Sequence, residues 1–137
     1  MPGATTAGAT ASATAAMPEQ QVFRVVVADD AAGIRALMST LLSLEPDFDV
    51  VGQARDGAEA VDLVSKLHPD LLVIDVTMPV MSGLEAIQAV RVCSPSTRVV
   101  VLTGERRALP DGARAQIEKG TPNDVLIDTL RGVCRAV

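Results

Sequence analysis

The sequence predicts an α/β domain, a (βα)5 doubly wound parallel sheet, and three observations carry that prediction. Runs such as "VVV" at 25–27 and "LLVI" at 71–74 are apolar without alternation, as strands covered on both faces are. Between such runs lie stretches whose apolar residues recur at helical spacing. From Val22 onward strand and helix alternate five times, and that order implies parallel strands with helices on both faces of the sheet.

The elements follow in order. "VFRVVVA" is the first strand. "IRALMSTLLSL" is the first helix, with Ile34, Leu37, Met38, Leu41 and Leu42 on one face. "FDVVGQA" is the second strand, and "GAEAVDLVSKL" a helix that turns Ala60, Val61, Val64 and Leu67 inward. Pro69 stops that helix before the third strand, "DLLVIDV". "GLEAIQAVRV" is helical through Leu84, Ile87 and Val90, and Pro95 ends it. "RVVVLT" is the fourth strand and "AQIEK" a short fifth. "PNDVLIDTLRGVCRA" closes the domain as a helix with Pro122 in its first turn. Arg131 and Arg135, in its last turns, suit the helix dipole.

Length and composition set the outer bounds. At 137 residues the chain is one domain with room for a hydrophobic core. No apolar run approaches the roughly 18 residues that a membrane span needs. A net charge of −5 with scattered basic residues argues against a nucleic-acid surface, and two phenylalanines as the only aromatics argue against base stacking. Cys93 and Cys134 read as reduced, core or half-buried thiols of a cytoplasmic protein. Residues 1–21, Ala/Thr-rich and almost uncharged, cannot bury a core and are expected to be disordered, leaving 22–137 as the folded domain.

In open parallel sheets the ligand lies at the carboxyl ends of the strands. Asp29 and Asp30 end the first strand, Asp75 the third, Thr103 the fourth and Lys119 the fifth, so all five converge on one rim. Three carboxylates packed together repel unless something compensates them, and Mg2+, which takes oxygen ligands, does so. A lysine charge and a hydroxyl beside them suit a phosphoryl group, and a carboxylate can itself be the nucleophile. The rim therefore reads as metal-assisted phosphoryl transfer onto Asp75, with the paired aspartates holding the metal. Taken singly, each residue has a plainer reading: one aspartate as a helix cap, Thr103 as a strand former, Lys119 as a solvated lysine. His68, at a helix end before Pro69, is read as exposed or dipole-stabilised rather than catalytic, and Met78 and Met81 as packing residues.

The pieces "VVVADD", "GQARDGAEAV", "HPDLLVIDVTMPVMSGLEAI", "VVVLTG" and "GARAQIEKGTP" resemble the receiver domain of bacterial two-component response regulators. That resemblance covers nearly everything after residue 21 and implies a flavodoxin-like fold with strand order 2-1-3-4-5. It implies Asp75 as phosphoacceptor, Asp30 as direct metal ligand, Asp29 acting chiefly through water, and the backbone carbonyl of Thr77 as a further ligand. Thr103 would be the switch hydroxyl and Lys119 the partner of the phosphoryl charge. The phosphoryl group would come from a histidine kinase or a phosphotransfer protein, and output would pass through protein contacts, homodimerisation among them. "RDGAEAV" and "EKGTP" resemble receivers that precede a helix-turn-helix domain; a stand-alone receiver is the favoured expectation over an excised piece.

Two departures from the family stand out. Gln116 occupies a position that is aromatic in most receivers, three residues before the lysine. Between Thr103 and the fifth strand only "GERRALPDGA" remains, so the fourth helix is expected to be truncated or absent, leaving part of the sheet uncovered except by Leu109. Two other functions stay open. One is a degenerate receiver that binds partners without phosphate. The other is a haloacid-dehalogenase-like phosphatase, which wants an acid two residues after the nucleophile, where Thr77 stands. Otherwise no enzyme activity is expected beyond self-catalysed phosphorylation and dephosphorylation.

Overall fold

The computed structural model describes residues 21–78 and 80–136; the expected disordered tail lies, but for Gln21, outside the described residues. Among the described residues nine elements follow one another: β1 (Phe23–Ala28), α1 (Ala32–Ser43), β2 (Phe48–Ala54), α2 (Gly57–Leu67), β3 (Leu71–Asp75), α3 (Gly83–Cys93), β4 (Arg98–Thr103), β5 (Ala115–Glu118) and α4 (Asn123–Arg135). The strands form one parallel sheet in the order β2-β1-β3-β4-β5, as expected. Among the described residues no helix is long and apolar enough to cross a membrane.

The sheet's two faces sort the valines and leucines by parity, since successive strand residues point to opposite sides. Val25, Val27, Leu71, Val73, Val100 and Leu102 pack under α1 and α4. Val26, Ala28, Leu72, Ile74, Val99 and Val101 pack under α2 and α3. Each of these valine, leucine and isoleucine side chains contributes roughly 1.5–3 kcal/mol by leaving water. Two residues of the expected apolar spacing are not covered: Leu37 is 57% exposed and Leu84 41% exposed. Both lie at the flank of their helix's apolar stripe, where sequence spacing cannot say how far a neighbour reaches. Met78 is buried and Met81 partly buried, both in the second cluster, as packing residues should be.

Helix ends follow local chemistry. Asp56 accepts from the Glu59 N–H at 2.8 Å, and Ser82 with Glu85 forms a reciprocal capping box on α3. Pro122 is the N-cap of α4, one residue before its first turn. His68 ends α2 in the left-handed conformation at φ 44°, exposed, its Nδ1 3.1 Å from Ser94 Oγ. Arg131 does more than face a helix dipole. It grips Asp47 through Nε at 2.7 Å and Nη2 at 3.0 Å, reaches Glu45 at 2.8 Å, and lies over the Phe48 ring. The sequence placed these acids and this arginine more than eighty positions apart, so only the fold brings them together. Cys93 and Cys134 are free thiols, and burial pushes the Cys134 thiol up to about 11.

No helix joins β4 to β5, as the short connection requires. The expected uncovering of the sheet is corrected in part: Val99 and Val101 remain 1% and 0% exposed. Ile87 and Val90 of α3 share their cluster, Ala113 of the connecting turn packs against it, and the turn itself rests on α3. Gly112 sits there at φ +93°, so close that a Cβ would lie 2.6 Å from Arg91 Cδ. What does lose cover lies on β5, where Gln116 pairs with Val101 on the α3 side of the sheet and is polar. Leu109 is itself 46% exposed and covers little.

Candidate functional site

The rim forms where β1, β3, β4 and β5 end. Asp29 follows β1 directly and is fully buried. Its Oδ1 accepts from the Ala31 N–H at 2.9 Å, and its carbonyl accepts from Arg35 Nη1 at 2.7 Å. The capping reading of the two aspartates therefore fails: the N-cap of α1 is Ala31, and no side chain caps it. Asp29 Oδ2 is buried with no hydrogen-bond partner among the described residues. Asp30 is exposed, and one carboxylate oxygen from each of Asp29, Asp30 and Asp75 lies within 4.8 Å of the others.

Asp75 ends β3 and is 4% exposed; its Oδ1 accepts from the Thr77 N–H at 3.1 Å. Lys119 reaches back from the end of β5 to place Nζ 3.2 Å from Asp75 Oδ2 and 3.5 Å from Asp29 Oδ2. Its backbone N–H donates to the Thr103 carbonyl at 2.8 Å, which anchors the strand ends side by side. Burial raises the Asp29 carboxyl above its usual range; the Ala31 N–H opposes this, the Asp75 charge adds to it, and Lys119 opposes it. Burial would lower the Lys119 ammonium, but the Asp75 and Asp29 carboxylates outweigh it and hold the ammonium above its usual range.

Thr103 sits at the same rim, 3% exposed, but its hydroxyl faces the chain that follows. It donates to the Glu105 carbonyl and accepts from the Glu105 N–H at 3.2 Å, with no hydrogen bond to the carboxylates among the described residues. Asp29, Asp30, Asp75 and Lys119 are thus brought together, Thr77 touches Asp75 through its backbone, and Thr103 stands adjacent but otherwise engaged. A cavity of about 380 Å³ adjoins this group, lined by Val76, Thr77, Thr103 and residues 104–107.

Three supporting residues had no structural role assigned from the sequence. Arg35 holds the Asp29 turn, and nothing in the helical pattern of α1 marks it. Gly57 lets α2 pass the loop after Asp75, since a Cβ there would lie 2.2 Å from the Met81 carbonyl. Gly83 lets α3 start against the end of β3: its Cβ would lie 2.4 Å from the Asp75 carbonyl. The signal for these glycines was present, because glycine at a helix start is a costly choice unless backbone must approach closely.

The donor set is all oxygen, three carboxylates with one buried lone pair left unused, which suits a hard divalent cation. Residues 25–131 match the family model described as the response regulator receiver domain. The nitrate/nitrite response regulator NarP of Escherichia coli is 35% identical over 84% of this chain and 56% of its own length. A protein-glutamate methylesterase/protein-glutamine glutaminase of Nocardioides is 41% identical over 59% of this chain and 22% of its own. The chain thus spans about half, or less, of these relatives. Among solved structures, the signal receiver domain of NarL from Mycobacterium tuberculosis superposes with a TM-score of 0.80 at 29% identity, covering 85% of this chain and 99% of that one. The response regulator domain of Thermotoga maritima CheB does so at 0.76 and 28%, covering 85% and 99%. Strand order, carboxylate rim and sequence agree, and the chain belongs to the response regulator receiver domain family.

Proposed function

We propose that this receiver takes a phosphoryl group onto Asp75 and returns it to water, signalling through protein contacts in between. The observation that carries the reading is the placement of Lys119 Nζ between Asp75 and Asp29, beside a buried carboxylate oxygen with no hydrogen-bond partner. Asp29, Asp30, Asp75 and the Thr77 backbone carbonyl would hold Mg2+. Bound there, the ion would neutralise charge on the phosphoryl oxygens. Asp75, as carboxylate, attacks phosphorus; a P–O bond forms as the donor's bond to phosphorus breaks, and the donor atom keeps the electron pair and takes up a proton. Lys119 balances the added charge, and the Thr103 hydroxyl would have to leave Glu105 to reach a phosphoryl oxygen.

The donor is a phosphohistidine on a kinase or phosphotransfer protein. A groove of about 440 Å³ between α1 and α4, running up to Lys119 and lined by Ile34, Leu37 and Leu126, supports docking of such a protein near the rim. The free thiols support a cytoplasmic setting. Thr77, not an acid, stands two residues after Asp75, which disfavours turnover of a separate phosphomonoester. The engaged Thr103 hydroxyl favours a second reading, a receiver that binds partners without phosphate. Amide NMR titration with Mg2+ and then beryllium fluoride decides between them, with Asp75→Asn as control. Saturable shifts at Asp30, Asp75, Thr103 and Lys119, absent in the variant, are expected. No Mg2+-dependent shifts would leave the phosphate-free reading.

A further inference from the structure

We infer that Gln116 is a positioning residue for this site: it fixes residues 104–107 as one wall of the cavity beside Asp75, and so limits hydrolysis of the aspartyl phosphate. The inference rests on the phosphoacceptor reading above and extends it to phosphoryl lifetime.

The geometry is specific. Gln116 lies half-buried on the edge strand β5, on the α3 side of the sheet, beside the connection from β4 that has no helix. Its Oε1 accepts from the Arg107 N–H at 3.1 Å, and its Nε2 donates to the Arg107 carbonyl. One side-chain amide thereby satisfies both backbone groups of Arg107, as a neighbouring strand would. Gly104–Ala108 makes no backbone–backbone hydrogen bond among the described residues. The stretch is held at its start by the Thr103 hydroxyl on Glu105 and at its end by Gln116. All of Gly104, Glu105, Arg106 and Arg107 line the cavity of about 380 Å³ that also touches Thr77 and Thr103.

That volume is ample for a water to reach the rim. In hydrolysis one water attacks phosphorus, forming a P–O bond as the bond from phosphorus to the Asp75 oxygen breaks. The electron pair returns to the carboxylate, and the water's proton passes to solvent with release of inorganic phosphate. If the Thr103 hydroxyl turns to the phosphoryl group, the start of the stretch is released and Gln116 is the side chain that still holds it. The wall that restricts the attacking water then depends on one amide.

The test compares the full chain with Gln116→Met, which keeps length and loses both hydrogen bonds, and Gln116→Asn, which keeps the amide one methylene short. Each is loaded with phosphoramidate and Mg2+, and uptake, decay and the Mg2+ midpoint are followed, with amide hydrogen exchange at residues 105–108. Loss of the pair should speed decay and Arg107 exchange about tenfold in both variants, with uptake rate and Mg2+ midpoint unchanged. Decay within about twofold of wild type would overturn the inference while leaving the Asp75 reading intact. Uptake, midpoint and decay shifting together would overturn it too, by making Gln116 merely structural. A wild type that behaves like Asp75→Asn, taking up nothing, would end the phosphoacceptor reading and this one with it.

Discussion

At Asp29 a buried carboxylate has one oxygen satisfied by the Ala31 N–H and the other without a hydrogen bond, 3.5 Å from Lys119. Such a group costs stability without a metal and is useful only when something takes the free lone pair. Asp29→Asn removes the charge while keeping an acceptor for Ala31. The metal-free chain should gain about 1 kcal/mol in urea melts, and the gain on adding Mg2+ should shrink. A metal-free loss instead would show that the Lys119 ion pair outweighs desolvation at this position. Lys119, as the ammonium between Asp29 and Asp75, separates two charges that would otherwise meet in a buried rim.

Among elements, the attachment of α4 to the turn between α1 and β2 depends on Arg131. Its side chain is 23% exposed and that of Asp47 11%, so the bidentate pair is shielded from solvent in a way that Arg135, 61% exposed and 3.5 Å away, is not. Arg131→Met should cost about 2 kcal/mol and Arg135→Ala less than about 0.5 kcal/mol in chemical denaturation. The Arg131 side chain also holds the Asp47 carboxyl below its ordinary value. A carboxyl depressed in the folded state contributes stability that is present above its unfolded pKa, near 3.9, and is lost as pH falls through the folded value. Wild type should therefore lose stability below about pH 4 more steeply than Arg131→Met does. Equal slopes would mean that the pair contributes nothing net.

The connection that replaces a helix makes its own demand on glycine. Gly112 at φ +93° faces Arg91 and Ile87, whereas Gly120 at φ +96° faces open space. Alanine at Gly120 should cost only the backbone strain, about 1 kcal/mol, and alanine at Gly112 should cost that plus the displacement of Arg91. Thermal melts of the two variants separate conformational from steric cost. If they match, Arg91 yields freely and the turn is not pressed onto α3.

At the scale of the whole molecule, folding creates the acidic rim, so any cation that binds it must stabilise the fold. Mg2+ at a hundredfold excess over its dissociation constant should add about 2.7 kcal/mol to unfolding, and Asp75→Asn should lose most of that gain. A wild-type urea midpoint that Mg2+ does not move would exclude metal binding at the rim.

The sequence by itself determined the order of elements, the strand boundaries to within a residue and the group of acids at the strand ends. Those follow from local patterns: runs of valine, helical spacing, prolines and caps, all within a few residues of each other. The absent connecting helix was legible in the same way, since ten residues with a proline and a glycine leave no room for one. Only the tertiary structure decided that Leu37 and Leu84 face solvent, that Arg131 leaves the helix dipole for Asp47, and that β4 stays covered. It also decided that the Thr103 hydroxyl is engaged with Glu105 and that Gln116 fastens Arg107. Each of these is a choice of partner among several within reach, made by packing between segments distant in sequence, and no periodicity along the chain encodes it.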